Sequence, residues 1–260
     1  MSQKEYLGID IGASGIKGAI VNIKKGDLVS ERLRLPTPQP STPKEVAKTF
    51  AQLVKDLNWS GKIIGVGFPA VVKRGVAKTA ANIHKDWINT DIEKLFTKAT
   101  GCDVFVRNDA DVAGLAEMRY GVGQNRKDTV LIITIGSGLG SAVFRNGFLV
   151  PNTELGHFYL KGHNKVVEQF TSDGARKRQE LSWKEWAKRF DRYLETVTLL
   201  LAPDLIILGG GGSKKFEKFE SYLKFDKVPL APAELLNNAG IIGAARYAYQ
   251  IEQAVLELDA

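Results

Sequence analysis

The sequence holds a single cysteine, Cys102, so no disulfide closes within the chain and a cysteine-rich metal cluster is excluded. No apolar run approaches the ~18 residues that cross a bilayer, and no membrane partner is expected. The opening Met1-Ser2-Gln3-Lys4-Glu5 leads directly into a strand-like segment, without the hydrophobic stretch and small-residue cleavage site of a secretion signal. These absences together predict a cytoplasmic protein. Two of the three histidines, His84 and His163, have no polar context in the sequence and read as structural.

What remains is an ordinary globular composition. The 260 residues are 44% hydrophobic and 25% charged, enough to bury the cores of two modest domains. Net charge is +7. That is at the least a generic basic surface, and at the most the mark of a polyanionic partner: nucleic acid, acidic lipid or a long phosphate chain. Charge alone does not choose among them.

The pattern along the chain is a unit used twice. Tyr6–Ile11 is β-rich, Gly12-Ala13-Ser14-Gly15 is a turn, Ile16–Ile23 a second strand, and Lys25-Gly26-Asp27 a hairpin turn. Thr129–Ile135, Gly136-Ser137-Gly138-Leu139-Gly140, Ser141–Phe144, Arg145-Asn146-Gly147 and Phe148–Val150 repeat that layout. Duplication predicts two related α/β domains with a cleft between them. The expected boundary falls near 108–110, giving a smaller domain over 1–108, completed by a closing helix over 240–260, and a larger one over 109–239.

Other segments fit this plan. The proline-rich stretch Pro36–Pro43 reads as extended and stiff. Val46, Phe50, Leu53, Val54 and Leu57 have helical spacing, and Ile63–Phe68 is a buried-type strand. Ser182-Trp183-Lys184-Glu185 is a capping box that opens a helix to about Leu201. Asp204–Leu208 is a strand leading into Gly209–Gly212, after which Ser213-Lys214-Lys215 is expected to open a helix and offer an anion site.

Each candidate for chemistry has a plain structural alternative. Glycine loops let backbone N–H groups approach phosphate oxygens, but a single loop is more often a tight hairpin. Neither loop is a Walker A motif or a good dinucleotide fingerprint. Asp10, beside the first loop, holds Mg²⁺ through water or simply forms the turn. Asn108 and Asp109 end a strand, Asp103–Arg107, ahead of a helix over Ala110–Tyr120, so one of them caps that helix. Asp109 is alternatively a base that takes the proton of an attacking hydroxyl. Asp111 is its rival, placed in the first turn where acidic residues are favoured anyway. Glu154, His157 and Glu168 have the donors and acceptors for a polyol, and His157 lacks the cysteine partners of a zinc site. Lys184, Lys188 and Arg192 share one helix face, ordinarily a solvated one.

Taken together these motifs resemble the ROK (repressor, open reading frame, kinase) family of sugar kinases. Asp10–Gly15 is similar to its first phosphate loop and Thr134–Ser141 to its second; Asn108-Asp109-Ala110 is similar to its catalytic triplet. Glu154-Leu155-Gly156-His157 and Glu168-Gln169-Phe170-Thr171-Ser172 are similar to its sugar-binding motifs. Further stretches, Thr37–Pro43, Thr79–Ile83, Val150–Thr153 and Leu181–Ala187, resemble the branch that spends inorganic polyphosphate. The likeness runs from about Leu7 to Ala248.

The resemblance implies two actin/hexokinase-like (RNase H-like) domains around an active-site cleft. It implies phosphoryl transfer from polyphosphate or ATP to the 6-hydroxyl of glucose, with Mg²⁺ at Asp10, or else an ATP-dependent hexose or amino-sugar kinase. Asp109 becomes the general base. Asn82, Asn108, Glu154, His157 and Glu168 bind glucose with it. Asp10, Gly12, Ser14, Gly15, Lys17, Thr134, Gly136, Ser137 and Gly138 sit at the phosphates. Gly209, Gly210, Gly211, Lys214 and Lys215 face the nucleotide or polyphosphate. A homodimer without nucleic acid is expected. The family's Cys-x-Cys-Gly-x-x-Gly-Cys zinc motif is missing, so no zinc site is expected. Pro69-Ala70 replaces its usual Pro-Gly, which puts the conformation of that loop in question. A regulator's extra DNA-binding domain finds no room before the first strand, and the motifs around Asp109 and Glu154 argue against a filament protein.

Overall fold

The computed structural model describes residues 5–258; the N-terminal stretch read above as lacking a signal, and the last two residues of the expected closing helix, lie outside them. In chain order the elements are β1 (Glu5–Ile11), β2 (Ile16–Asn22), β3 (Asp27–Leu28), β4 (Leu33–Leu35), α1 (Pro43–Asp56), β5 (Ile63–Phe68), β6 (Val72–Lys73), β7 (Val76–Ala77), α2 (Ile92–Thr100), β8 (Asp103–Asn108) and α3 (Asp109–Tyr120). There follow β9 (Thr129–Ile135), β10 (Leu139–Arg145), β11 (Phe148–Val150), α4 (Glu168–Thr171), α5 (Asp173–Arg178), α6 (Trp183–Leu201), β12 (Leu205–Gly209), α7 (Gly210–Ser213), β13 (Leu230–Pro232) and α8 (Ala239–Leu258). The chain forms two compact units, Met1–Ala116 with Asn238–Ala260, and Glu117–Asn237.

The first unit is built on a sheet of order β3-β2-β1-β5-β8, with β4 also paired to β2. β1 and β2 are antiparallel, while β1, β5 and β8 run parallel. Strands covered on both faces read as near-continuous apolar runs, and Leu7, Ile9, Ile64 and Val66 are indeed fully buried. α1 starts with Pro43 at its first turn and buries Val46, Phe50, Leu53 and Val54, as their spacing predicts. Phe50 stacks on Phe96 of α2, ring centroids 4.2 Å apart. α8 packs hard against the sheet because Gly8 and Gly65, register partners on β1 and β5, have no side chain. A Cβ on Gly8 would lie 2.0 Å from the Ile241 carbonyl oxygen, and one on Gly65 1.8 Å from that of Ala244.

The second unit repeats the plan. Its sheet has the order β11-β10-β9-β12-β13, antiparallel over the first three strands and parallel over the last three. β9 therefore occupies the place of β1, and β12 that of β5, so Thr134 stands where Asp10 stands and Gly209 where Gly67 stands. α6 begins at the expected capping box: the Ser182 hydroxyl accepts the Glu185 N–H and the Glu185 carboxylate accepts the Ser182 N–H. It buries Trp186, Phe190 and Tyr193 beside Phe219.

One expectation holds only in part: Lys215 precedes and caps a 3₁₀ turn over Phe216–Lys218, but the helix directly after β12 starts earlier. The helix after β12 is formed by the glycines themselves, Gly210–Ser213, and Lys214 caps its end instead of starting it. The Ser213 hydroxyl, donating back to the Gly210 carbonyl at 2.8 Å, closes this single turn early.

Candidate active site

In the first unit Asp10 on β1 is in register with Lys17 on β2, and Lys17 with Arg34 on β4. Directly paired residues share one face of a sheet, so these three form a row of charges. Lys17 Nζ lies 3.1 Å from Asp10 Oδ2. The adjoining turn is closed by the Gly12 N–H on the Gly15 carbonyl, 3.0 Å. Two residues outside the candidate site residues brace it. Arg34 donates to the Ser14 carbonyl at 2.7 Å and lies flat on Gly15, where a Cβ would meet Nε at 2.5 Å. The buried Thr37 hydroxyl donates to the Gly12 carbonyl at 2.6 Å, so the proline-rich stretch is a wall of this turn. These partners lie 20 and 25 residues away in sequence, and no local pattern reports them.

At the same carboxyl end of the sheet, two strands across on β8, the competition for the start of α3 is resolved. Asn108 is the cap: its Oδ1 accepts from the N–H groups of Ala110 (2.9 Å) and Asp111 (3.1 Å). Its Nδ2 donates to the Ala70 carbonyl at 3.2 Å, so the amide also fixes the loop after β5. Ala70 is not among the residues with positive φ, which is why alanine serves there in place of glycine. Asp109, relieved of the capping role, takes the first helical position half-buried, with Oδ1 accepting the Ala110 N–H at 2.9 Å. Asp111, its rival, is fully buried, and its charge acts on Tyr247 of α8.

Gly67, on the strand between them, keeps the space between Asp10 and Asp109 open. From the point where its Cβ would sit, Asp10 Oδ1 is 3.9 Å away and the Asp109 Cα 3.5 Å. Gly240, in the first turn of α8, leaves similar room, since its Cβ would stand 2.9 Å from the Asp10 carboxyl carbon. Asn82 is exposed on the bend between β7 and α2. That bend is pinned to the proline-rich stretch by the His84 N–H on Ser41 Oγ and the Trp87 indole on the Ser41 carbonyl.

In the second unit the polyol candidates converge. Glu154 Oε2 is 3.1 Å from His157 Nδ1, and Glu168 Oε1 is 3.8 Å from His157 Nε2. The hydrogen bond that His157 donates to Glu154, reinforced by the charge of Glu168, raises the His157 pKa above its ordinary value of 6.5 against the opposing effect of burial. The cluster is built onto the second glycine turn. Glu168 Oε2 accepts the Leu139 N–H at 3.1 Å, and Gly156 lies on the Leu139 carbonyl, 2.3 Å from where its Cβ would be. The Ser141 hydroxyl accepts the Leu155 N–H at 3.0 Å. The turn itself is closed by the Gly136 N–H on the Gly138 carbonyl, 3.0 Å. Ser172, which caps α5, donates to the Ser137 carbonyl at 3.0 Å, and the Gly174 N–H to that of Gly136 at 3.0 Å.

The glycines after β12 have separate causes. Gly210 has φ 76° and its Cβ would press on Ile135, as would that of Gly212. Gly211 has nothing within 4 Å of its Cβ position. Lys214 is exposed, and Lys215 turns its ammonium over the Trp183 ring, 5.7 Å from the centroid.

A mixed-sheet α/β plan used twice, with six strands and then five, each copy bearing a glycine turn at the same strand junction, is the architecture of the actin/hexokinase-like sugar kinases. Within that class the chain belongs to the ROK family, whose model matches residues 6–174. The polyphosphate glucokinase of Mycobacterium tuberculosis is 44% identical over 94% of this chain and 91% of its own. The crystal structure of the inorganic polyphosphate/ATP-glucomannokinase from Arthrobacter sp. strain KM superposes with a TM-score of 0.91 at 47% identity, covering 95% of this chain and 99% of that one. The ROK family glucokinase of Streptomyces griseus, in complex with glucose and AMPPNP, shares the fold with a TM-score of 0.80 at 24% identity, over 95% and 100% of the two chains.

Proposed function

We propose that this protein moves a phosphoryl group from inorganic polyphosphate, and from ATP, to the 6-hydroxyl of glucose. The observation that carries the reading is the bond between Glu168 and the Leu139 N–H. Through it the carboxylate–imidazole cluster suited to a polyol and the glycine turn suited to phosphate become one structure. The similarity to polyphosphate glucokinases over 94% of the chain supports the choice of donor.

In this reading Glu154, His157 and Glu168 accept from and donate to the glucose hydroxyls, and Asn82 and the Asn108 amide are further glucose ligands. Asp109 accepts the proton of the 6-hydroxyl as its oxygen attacks the terminal phosphorus in line. The N–H groups around Gly12, Ser14 and Gly15, and around Gly136, Ser137 and Gly138, hold the donor phosphates, with Thr134 and Lys17 alongside. Gly209, Gly210, Gly211, Lys214 and Lys215 border the rest of the donor. Among the described residues no three His, Cys, Asp or Glu side chains converge as a metal-ligand set. Asp10, with space left for it by Gly67 and Gly240, has the donor chemistry for Mg²⁺ kept largely in its own water and on substrate phosphates. Bound there, Mg²⁺ neutralises phosphate charge. Among the described residues no helix is long and apolar enough to cross a membrane, and the protein acts as a cytoplasmic homodimer without nucleic acid.

A coupled glucose 6-phosphate assay tests this, with purified polyphosphate and ATP compared at matched phosphate. Turnover with both is expected. Turnover with ATP alone leaves an ATP-dependent hexose kinase, and no glucose phosphorylation from either donor refutes the reading.

A further inference from the structure

The second unit has a cavity of about 590 Å³ lined by His163, Lys165, Gln169, Phe170, Arg178 and Gln179, among others, and no carboxylate lines it. More positive charge stands around it. Arg192 Nη1 lies 3.0 Å from His163 Nε2, and Arg189 donates to the Phe170 carbonyl and to Gln179 Oε1. Next to it, the carboxylate of Asp173 is already committed to Arg176 at 2.9 Å and Lys177 at 2.8 Å. Glu168, one residue before Gln169, is turned to Leu139 and His157. The cavity's polar lining therefore consists of amide, imidazole and cationic groups beside Phe170, without a carboxylate, which suits an anion with many oxygens.

Its position identifies which anion. α5 starts at the second glycine turn, through Ser172 and Gly174, and ends at the cavity with Arg178. Arg178 spans that distance, because its side chain folds back along the helix. Its Nη1 is 3.1 Å from the point where a Cβ on Gly174 would sit, and the Ser137 carbonyl oxygen is 2.4 Å from that same point. One guanidinium thus lines the cavity and lies near the rim of the phosphate turn. A single phosphate fills one end of this path; a chain of phosphates fills all of it.

We propose that the cavity is a distal anchor for inorganic polyphosphate, holding a part of the chain remote from the reacting phosphate. This rests on the donor reading above and adds to it a second point of attachment that short donors do not reach.

The test is a Lys165→Glu variant of the full-length protein, with Lys127→Glu as a control of equal charge. Lys127 is an exposed residue before β9, at the end of that strand away from the glycine turn. KM is measured for long-chain polyphosphate, tripolyphosphate, ATP and glucose. Lys165→Glu is expected to raise KM for the long chain about tenfold, the scale of one ion pair lost and one repulsion gained. KM for the three small substrates and kcat stay within twofold of the control. The slope of log KM for the long chain against log salt becomes shallower by about one contact. An unchanged long-chain KM, or an equal rise for tripolyphosphate, overturns the anchor. Wild-type protein that uses ATP but no polyphosphate of any length overturns the donor reading itself, and is seen before any variant is made.

Discussion

Asp109→Asn separates chemistry from folding at the start of α3. The replacement is nearly isosteric, and the helix does not rely on Asp109, because the Asn108 side chain already takes the N–H groups of Ala110 and Asp111. The fold loses one negative charge at a helix N-terminus, about 0.3–1 kcal/mol. On the role proposed for Asp109 the reaction loses its base, worth about 10²- to 10⁴-fold, or about 3–5 kcal/mol of activation free energy. The coupled assay should therefore show kcat down by at least about 10²-fold with either donor, while the urea midpoint barely moves. Asn108→Ala should do the reverse to stability. It removes the acceptor of two helix N–H groups and strips the Ala70 carbonyl of its donor. A lost cap and a lost buried hydrogen bond together cost about 2–3 kcal/mol. The reasoning fails if Asp109→Asn keeps kcat within tenfold of the wild type, or if Asn108→Ala is as stable as the wild type.

Glycine substitutions divide in the same manner. Gly65→Ala drives a methyl group into the Ala244 carbonyl, 1.8 Å away, and should cost about 3 kcal/mol or more, read as a lost or strongly lowered thermal transition. Gly211→Ala meets open space, so its melting temperature should match the wild type while the donor KM rises severalfold; an unchanged donor KM would remove Gly211 from the donor site. For His157 the sign follows from its raised pKa. Its pairing with Glu154 and Glu168 stabilises the fold fully below the ordinary value of 6.5 and is lost as pH climbs through the raised folded value. NMR titration of the His157 ring should give a midpoint above 6.5, and His157→Gln should abolish the change in glucose KM across that window. A midpoint below 6.5 contradicts the assigned geometry.

Legibility in the sequence tracked the range of the interactions. The strand–turn–strand units, α1 and the α6 capping box are written in residues a few positions apart, and they stand where periodicity and turn chemistry put them. α2, nine residues long, carries its local signals only at its two ends, with Asp91 capping its start and Gly101 at φ 76° ending it. β4 and β13 carry three residues each, and β13 ends on Pro232 at the sheet edge, where a missing N–H does no harm. Such strands exist only through their partners. The same limit applied to the site. The sequence offered Asn108 or Asp109 as the helix cap, and only the Ala70 carbonyl, 38 residues distant, shows why the amide is needed there and the carboxylate is not.

The glycines show what that limit hides and what the structure returns. In a sequence, Gly8, Gly65, Gly136 and Gly211 are alike. Gly8 and Gly65 are required by the backbone of α8, and Gly210 by its φ of 76° and the crowding of Ile135. Neither cause covers Gly12, Gly136, Gly209 or Gly211. None of the four has positive φ, and a Cβ on each would meet its nearest neighbour at 3.4 Å or beyond, or nothing at all. A side chain at these places would disturb nothing that the chain itself supplies. All four lie at the turns after β1 and β9 or at the end of β12, the equivalent ends of the two sheets. Space kept clear there, with backbone N–H groups around it, is what phosphate oxygens approaching the main chain require. The packing glycines thus account for the fold, and the unexplained ones coincide with the place proposed for the donor.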